Sequence, residues 1–159
     1  MNENLYVITA SGPVPKEHVE HTIKNSIPPE KVEPYFFDDE LKQVQKIGRE
    51  HGYYAWGAVP GIRNIPNWES MKKGDQVLIY QNKMYTFVAK VALKDQNRDF
   101  ALTNWNQDAE GNTWEYMYLL EKPTKLDTPI PAVSLKDYLP SSYRGFTRIV
   151  DPSISATCT

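Results

Sequence analysis

The residues best suited to chemistry in this chain are aromatic side chains that stand beside glycine, asparagine or loop residues. A flat aromatic wall holds a planar base by stacking, which contributes roughly 1–3 kcal/mol per base. Asn64 carries both a donor and an acceptor, with which it can read the edge of such a base. Each tryptophan can equally be a core residue whose N–H finds a partner. The candidate wall residues are Trp56 with its neighbour Gly57, and Trp68, Tyr80, Trp105 and Trp114.

Basic side chains in the same part of the chain can hold the phosphates on either side of a bound base. Residues 41–100 contain ten Lys/Arg and five Asp/Glu, whereas the whole chain contains 18 and 20 and has a net charge of −2. The net charge disfavours a generally polycationic nucleic-acid binder, and the uneven distribution is either chance scatter over solvated faces or a local basic rim. A base offered to the slot must leave the duplex stack, as flipped bases do. The predicted phosphate-binding residues are Arg63, Lys72, Lys73 and Lys83.

No residue pattern in the chain predicts catalysis. Neither a serine nor a cysteine stands in a nucleophile elbow, and the glycines are too widely spaced for a phosphate-binding loop. His18 and His21 are three residues apart on a predicted helix, but no third ligand is near. We therefore predict that both histidines are solvated or capping, that no metal or cofactor binds, and that the chain is a non-catalytic binding domain.

The compartment is predicted from the cysteine count and from hydropathy. Cys158 is the single cysteine, which excludes an internal disulfide framework and a cysteine-based zinc site. The sequence has no run of 18 apolar residues and no leader at residues 1–10. We expect a cytoplasmic protein without a membrane partner.

The elements that must position these residues centre on a hairpin. Residues 76–80 and 85–93 are rich in β-branched and aromatic side chains, and the polar residues 81–84 join them. Because side chains alternate along a strand, one face of the second strand is predicted to be apolar. Its members are Tyr85, Phe87, Ala89, Val91 and Leu93.

The remaining segments complete an α+β pattern of one domain, residues 1–150, with a loose tail at 151–159. We predict five or six short, mostly antiparallel strands in a curved, barrel-like sheet, with two or three helices outside. Residues 97–105 are predicted as a short helix or as the end of a bulged connection, and residues 122–133, with three prolines, as an extended connection. Further strands are predicted at residues 5–10, 53–58, 114–120 and 145–150, and helices at 15–26, 40–51 and 134–139.

Two stretches of this sequence resemble a known family. AWGAVPGIRNIPNW, followed by MKKGDQVLIY, resembles the EVE domains of the PUA-like superfamily, which are relatives of the YTH domains. The shared order is a tryptophan and glycine near a strand end, an Arg-Asn pair, and a Met-Lys-x-Gly-Asp turn before an apolar strand. TASGP, GNTWEYMYLLE and RGFTRI extend the likeness over residues 5–150 to the N-terminal domains of McrB-like modification-dependent restriction proteins.

The resemblance implies a PUA-like fold and an aromatic cage for a flipped, modified base in duplex DNA. That base would be 5-methylcytosine, 5-hydroxymethylcytosine or N6-methyladenine, and a fused or partner nuclease or NTPase would complete a restriction system. Trp56 and Asn64 match the motif best, Tyr80 matches the aromatic residue that ends the apolar strand, and the other tryptophans match loosely. A shorter segment after Asn64 and a long N-terminal region depart from the family pattern. The alternatives are an RNA-binding PUA-like module and a protein or small-molecule interaction domain.

Overall fold

The structure is a computed structural model that describes residues 4–9, 13–81, 83–131 and 146–149. The helix predicted at residues 134–139 and the tail at 151–159 lie outside these residues. The strands are β1 (Leu5–Thr9), β2 (Tyr54–Ala58), β3 (Gln76–Gln81), β4 (Met84–Gln96), β5 (Tyr116–Leu120), β6 (Thr124–Pro131) and β7 (Phe146–Arg148). The helices are α1 (Pro13–Val19), which continues as a π-helical turn (Glu20–Lys24), α2 (Asp38–His51), α3 (Asn64–Ser70) and α4 (Arg98–Trp105).

The seven strands of the described residues form one mixed, curved sheet in the order β2-β5-β4-β3-β1-β7, with β6 also paired to β4. Among the described strands, β1 and β3 run parallel and the other pairs are antiparallel, so the sheet is mostly antiparallel, as predicted. The described residues form one strand more than the five or six expected, because β6 lies where the prolines predicted a bare connection. Proline is tolerated in β6 because, within the described part of the chain, this strand pairs with β4 alone and is an edge.

Strand β4 bends the sheet, because its first part pairs with β3 and β6 and its last part with β5. The register shifts near both ends of β4, opposite Tyr80 and between Val91 and Leu93. Each shift turns the following side chains to the other face. The prediction of a single apolar face on β4 was therefore wrong at its ends: Ala89 and Val91 join the core inside the curl, whereas Tyr85 and Leu93 pack elsewhere.

Two apolar clusters cover the two faces of β2 and β5. The inner cluster lies inside the curled sheet and contains Tyr54 and Trp56, and the outer cluster lies beneath α2 and α4. Val44 of α2 is fully buried in the outer cluster. Residues 98–105 form a short helix, which was one of the two structures predicted for this segment; the other was a bulged connection. The side chain of Asn97 caps the helix by accepting a hydrogen bond from the backbone N–H of Phe100 (3.0 Å).

The MKKGD turn fixes the start of β3 against the start of β1. Gly74 adopts a φ of 94°, which favours glycine. The fully buried carboxylate of Asp75 accepts hydrogen bonds from the backbone N–H groups of Asn4 and Lys72, both at 2.9 Å. This turn, which resembles the family motif, thus has a structural role. None of the helices in the described ranges is long and apolar enough to cross a membrane.

Candidate functional site

A cavity of about 240 Å³ lies where β1 and β2 end, and we call it the inner cavity. Its volume is below the roughly 300–1,000 Å³ of sites for drug-sized ligands, and it suits a single planar ring system. Four of the seven predicted cage residues line it, namely Trp56, Gly57, Asn64 and Trp114.

His18 completes the aromatic wall of the inner cavity. Its side chain is only 7% exposed, and its ring meets Trp114 edge-on at a centroid distance of 4.5 Å. The rings of Trp56 and Trp105 lie 6.2 and 6.0 Å away. The prediction that His18 is solvated or capping was wrong, because the helix turns this residue toward the tryptophans. Its position four residues before the buried Thr22, which places both side chains on one face of the helix, was the available signal.

The imidazole of His18 is neutral at pH 7. Burial lowers its pKa from the usual 6.5 to about 4, although Glu17 and a hydrogen bond to the backbone of Trp105 act in the opposite direction. A neutral ring presents no charge that a bound base must desolvate. The side chain of His21, in contrast, is 68% exposed, in keeping with the prediction that it is solvated.

Gly57 allows the segment that carries Trp114 to approach β2 closely. A Cβ at Gly57 would overlap the backbone carbonyl oxygen of Trp114 and would come within 3.0 Å of the Trp105 indole. The segment before β5 can therefore cross β2 closely only where β2 has no side chain. The glycine that follows Trp56 in the sequence is thus required by the close crossing of these two segments.

Polar and apolar residues both line the inner cavity, and two of its polar groups have hydrogen-bonding capacity left. The indole N–H of Trp56 has no hydrogen-bond partner among the described residues, so this donor is available to a ligand. Asn64 donates one amide hydrogen to the backbone oxygen of Val59 (2.9 Å), which holds the loop between β2 and α3. The side-chain oxygen of Asn64 and its second amide hydrogen remain for the edge of a ring.

A second cavity of about 490 Å³, the outer cavity, lies on the other side of His18 and Trp114. Trp105 lines it and is 4% exposed, and its indole N–H donates to the hydroxyl of Thr22 (3.3 Å). Trp105 therefore supports His18 from the outer side and does not line the inner cavity. His18 and Trp114 form a wall that both cavities share.

The structure does not bring Trp68 or Tyr80 to the inner cavity. The Trp68 indole donates to the backbone oxygen of Met117 (3.1 Å), and the ammonium of Lys94 lies 4.6 Å from the centre of its ring. Tyr80 packs against Tyr85, with ring centroids 5.7 Å apart, in a cluster that excludes its neighbour Ile79. Alternation along β3 thus turns Tyr80 to the opposite face of the sheet.

The predicted phosphate-binding residues lie at two ends of the sheet. Arg63 is exposed beside Asn64 at the rim of the inner cavity. Lys83 is exposed in the turn that follows β3. Because Tyr80 near the end of β3 pairs with Thr9, which lines the inner cavity, this turn lies at the end of the sheet that carries the cavity. Lys72 and Lys73 precede β3 at the opposite end, where Leu5 pairs with Gln76.

Comparisons with known proteins establish the fold. No protein-family model matches this sequence, and no curated protein matches it. The N-terminal domain of Thermococcus gammatolerans McrB, solved bound to m5C DNA, is similar over 98% of this chain and 95% of that chain, with 17% identity and a TM-score of 0.63. A hypothetical protein from Leishmania major is similar over 99% of this chain and 92% of that chain, with 16% identity and a TM-score of 0.50. The predicted α+β, PUA-like fold and the predicted likeness to McrB-like N-terminal domains are thereby confirmed.

Proposed function

We propose that this chain reads a modified base in DNA by receiving the flipped base in the inner cavity. The observation that carries the proposal is the wall formed by Trp56, His18 and Trp114 around a space the size of one ring system. Stacking on such walls tolerates any base, so the identity of the base depends on its edge and on its added group.

The cavity has suitable partners for both features. The free N–H of Trp56 and the amide of Asn64 can pair with the edge of the base. Ile8, Ala58 and Phe146 supply apolar surface for an added methyl or hydroxymethyl group. One such group in an apolar pocket contributes about 1–3 kcal/mol, which corresponds to a preference of about tenfold or more. The candidate bases are 5-methylcytosine, 5-hydroxymethylcytosine and N6-methyladenine.

The fold supports DNA as the partner. The N-terminal domain of Thermococcus gammatolerans McrB has a similar fold and is bound to m5C DNA. By analogy, this chain is the recognition part of a restriction or defence system and acts by binding alone, while a fused or separate component supplies nuclease or NTPase activity. Arg63 and Lys83, at the cavity end of the sheet, are placed to hold the flanking phosphates.

The test is binding to four short duplexes that carry one 5-methylcytosine, one 5-hydroxymethylcytosine, one N6-methyladenine or no modification. Trp114→Ala removes a partly buried cavity wall, and Trp68→Ala is the matched control, since Trp68 is also partly buried but lies outside the cavity. Circular dichroism verifies the folding of both variants.

We expect the protein to prefer one modified duplex by about tenfold or more. Trp114→Ala removes that preference, whereas Trp68→Ala keeps it. Equal binding to all four duplexes, unchanged by Trp114→Ala, overturns the proposal. An RNA competitor that displaces every duplex at lower concentration would instead favour an RNA-binding module.

A further inference from the structure

Ile62 is a large apolar side chain that is 95% exposed. Phe37, at 69%, is the other large hydrophobic residue that is exposed in the described part of the chain. Ile62 belongs to the loop between β2 and α3, whose flanking residues Val59 and Asn64 both line the cavity.

The loop that carries Ile62 is fixed by its own contacts. The side chain of Asn64 bonds the backbone oxygen of Val59 (2.9 Å), and the backbone N–H of Ile65 donates to the oxygen of Gly61 (3.1 Å). Pro60 restricts the backbone further. Ile62 is thus presented outward from a braced turn, next to the exposed cation of Arg63.

We propose that Ile62 is a wedge that enters the gap left in the duplex when the modified base moves into the inner cavity. This inference rests on the proposed function. A flipped base leaves its two stacking neighbours without a partner, and an apolar side chain of this size restores part of the contact. The position fits, because the residue at the rim of the cavity lies next to the site from which the base departs. Arg63 then lies where the displaced backbone passes.

The wedge predicts a difference between double-stranded and single-stranded DNA. Ile62→Ser lowers affinity for the preferred modified duplex by about tenfold or more, since burial of an isoleucine side chain is lost. The same variant keeps its affinity for a single strand with the same modified base, because no duplex stack has to be repaired there. Ile62→Leu restores most of the duplex affinity, and Phe37→Ser, which removes an exposed apolar side chain that lines neither cavity, changes neither affinity.

The experiment measures binding of these variants to the duplex and to the single strand by fluorescence anisotropy. Loss confined to the duplex supports the wedge. Equal loss on both forms, or no loss on the duplex, overturns it while the proposed function stands. If the wild-type protein prefers no modified base in either form, the proposed function is overturned and the wedge with it.

Discussion

Lowering the pH from 7 to 5 is expected to destabilise the fold through His18. The pKa of this imidazole falls from 6.5 to about 4 on folding, because the ring is buried among the tryptophans. The folded state therefore binds a proton less readily than the unfolded chain. The stability contributed by the neutral ring is complete above pH 6.5 and is lost as the pH falls toward 4.

The magnitude follows from these two values. Proton linkage between pH 7 and pH 5 gives a loss of about 2 kcal/mol in the free energy of unfolding. His18 lines two cavities that solvent enters, and His21 and Glu17 nearby act in opposite directions. Solvent screening reduces the effect, and we expect about 1 kcal/mol.

The assay compares urea unfolding of the wild type and of His18→Phe at pH 7 and at pH 5, followed by circular dichroism. The variant keeps a planar ring but cannot titrate, and its lost hydrogen bond to the backbone of Trp105 shifts stability equally at both pH values. The difference between the two proteins isolates His18 from other titrating groups. An identical pH dependence in both, or an imidazole titration by NMR with a midpoint above 6, would refute the reasoning.

Three further predictions concern packing and charge. Gly57→Ala places a methyl group against the backbone carbonyl of Trp114, so we expect the free energy of unfolding to fall by about 1–3 kcal/mol and the preference for modified DNA to weaken. The control Gly61→Ala, whose added methyl group would lie 3.7 Å from the side chain of Asn64, is expected to be neutral in both assays. Tyr118→Phe removes a fully buried hydroxyl that has no hydrogen-bond partner in the described ranges, so we expect the free energy of unfolding to rise by about 1 kcal/mol in thermal unfolding. A lower free energy of unfolding would mean that the hydroxyl is paired. Burial raises the pKa of both Glu40 and Asp95, and the Asp95 carboxylate raises that of Glu40 further, whereas hydrogen bonds, one of them with Glu40, act against burial at Asp95. The fold is therefore expected to gain stability as the pH falls through these raised pKa values; Glu40→Gln reduces that gain in urea unfolding, and an unchanged pH dependence would contradict the coupling.

The sequence predicts the parts of this site that lie close together in the chain. Trp56, Gly57 and Asn64 fall within nine residues, where a strand end and a braced loop decide their positions together. His18 was missed because its burial depends on tryptophans that arrive from three distant segments. Trp68 and Tyr80 were included because composition does not reveal which face of an element meets the cavity.

The register of β4 and the presence of β6 could not be predicted from local sequence patterns. Register shifts in β4 depend on where β3 and β5 pair with it, and these pairings involve residues far apart in sequence. Strand β6 was missed because proline argues against a strand in general, although an edge strand accepts it. Local patterns therefore predicted the elements better than they predicted which faces and edges those elements present.

The pairing of Ile8 with Phe146 has a consequence for how the protein is made. Both residues line the inner cavity, and they come from the first and the last strand of the described chain. A ribosome therefore has to synthesise every residue between Ile8 and Phe146 before the wall between them can close. Pairings between such distant segments are slow to form. The inner cavity is thus expected to be complete only after synthesis passes β7, so a shorter nascent chain cannot yet form it.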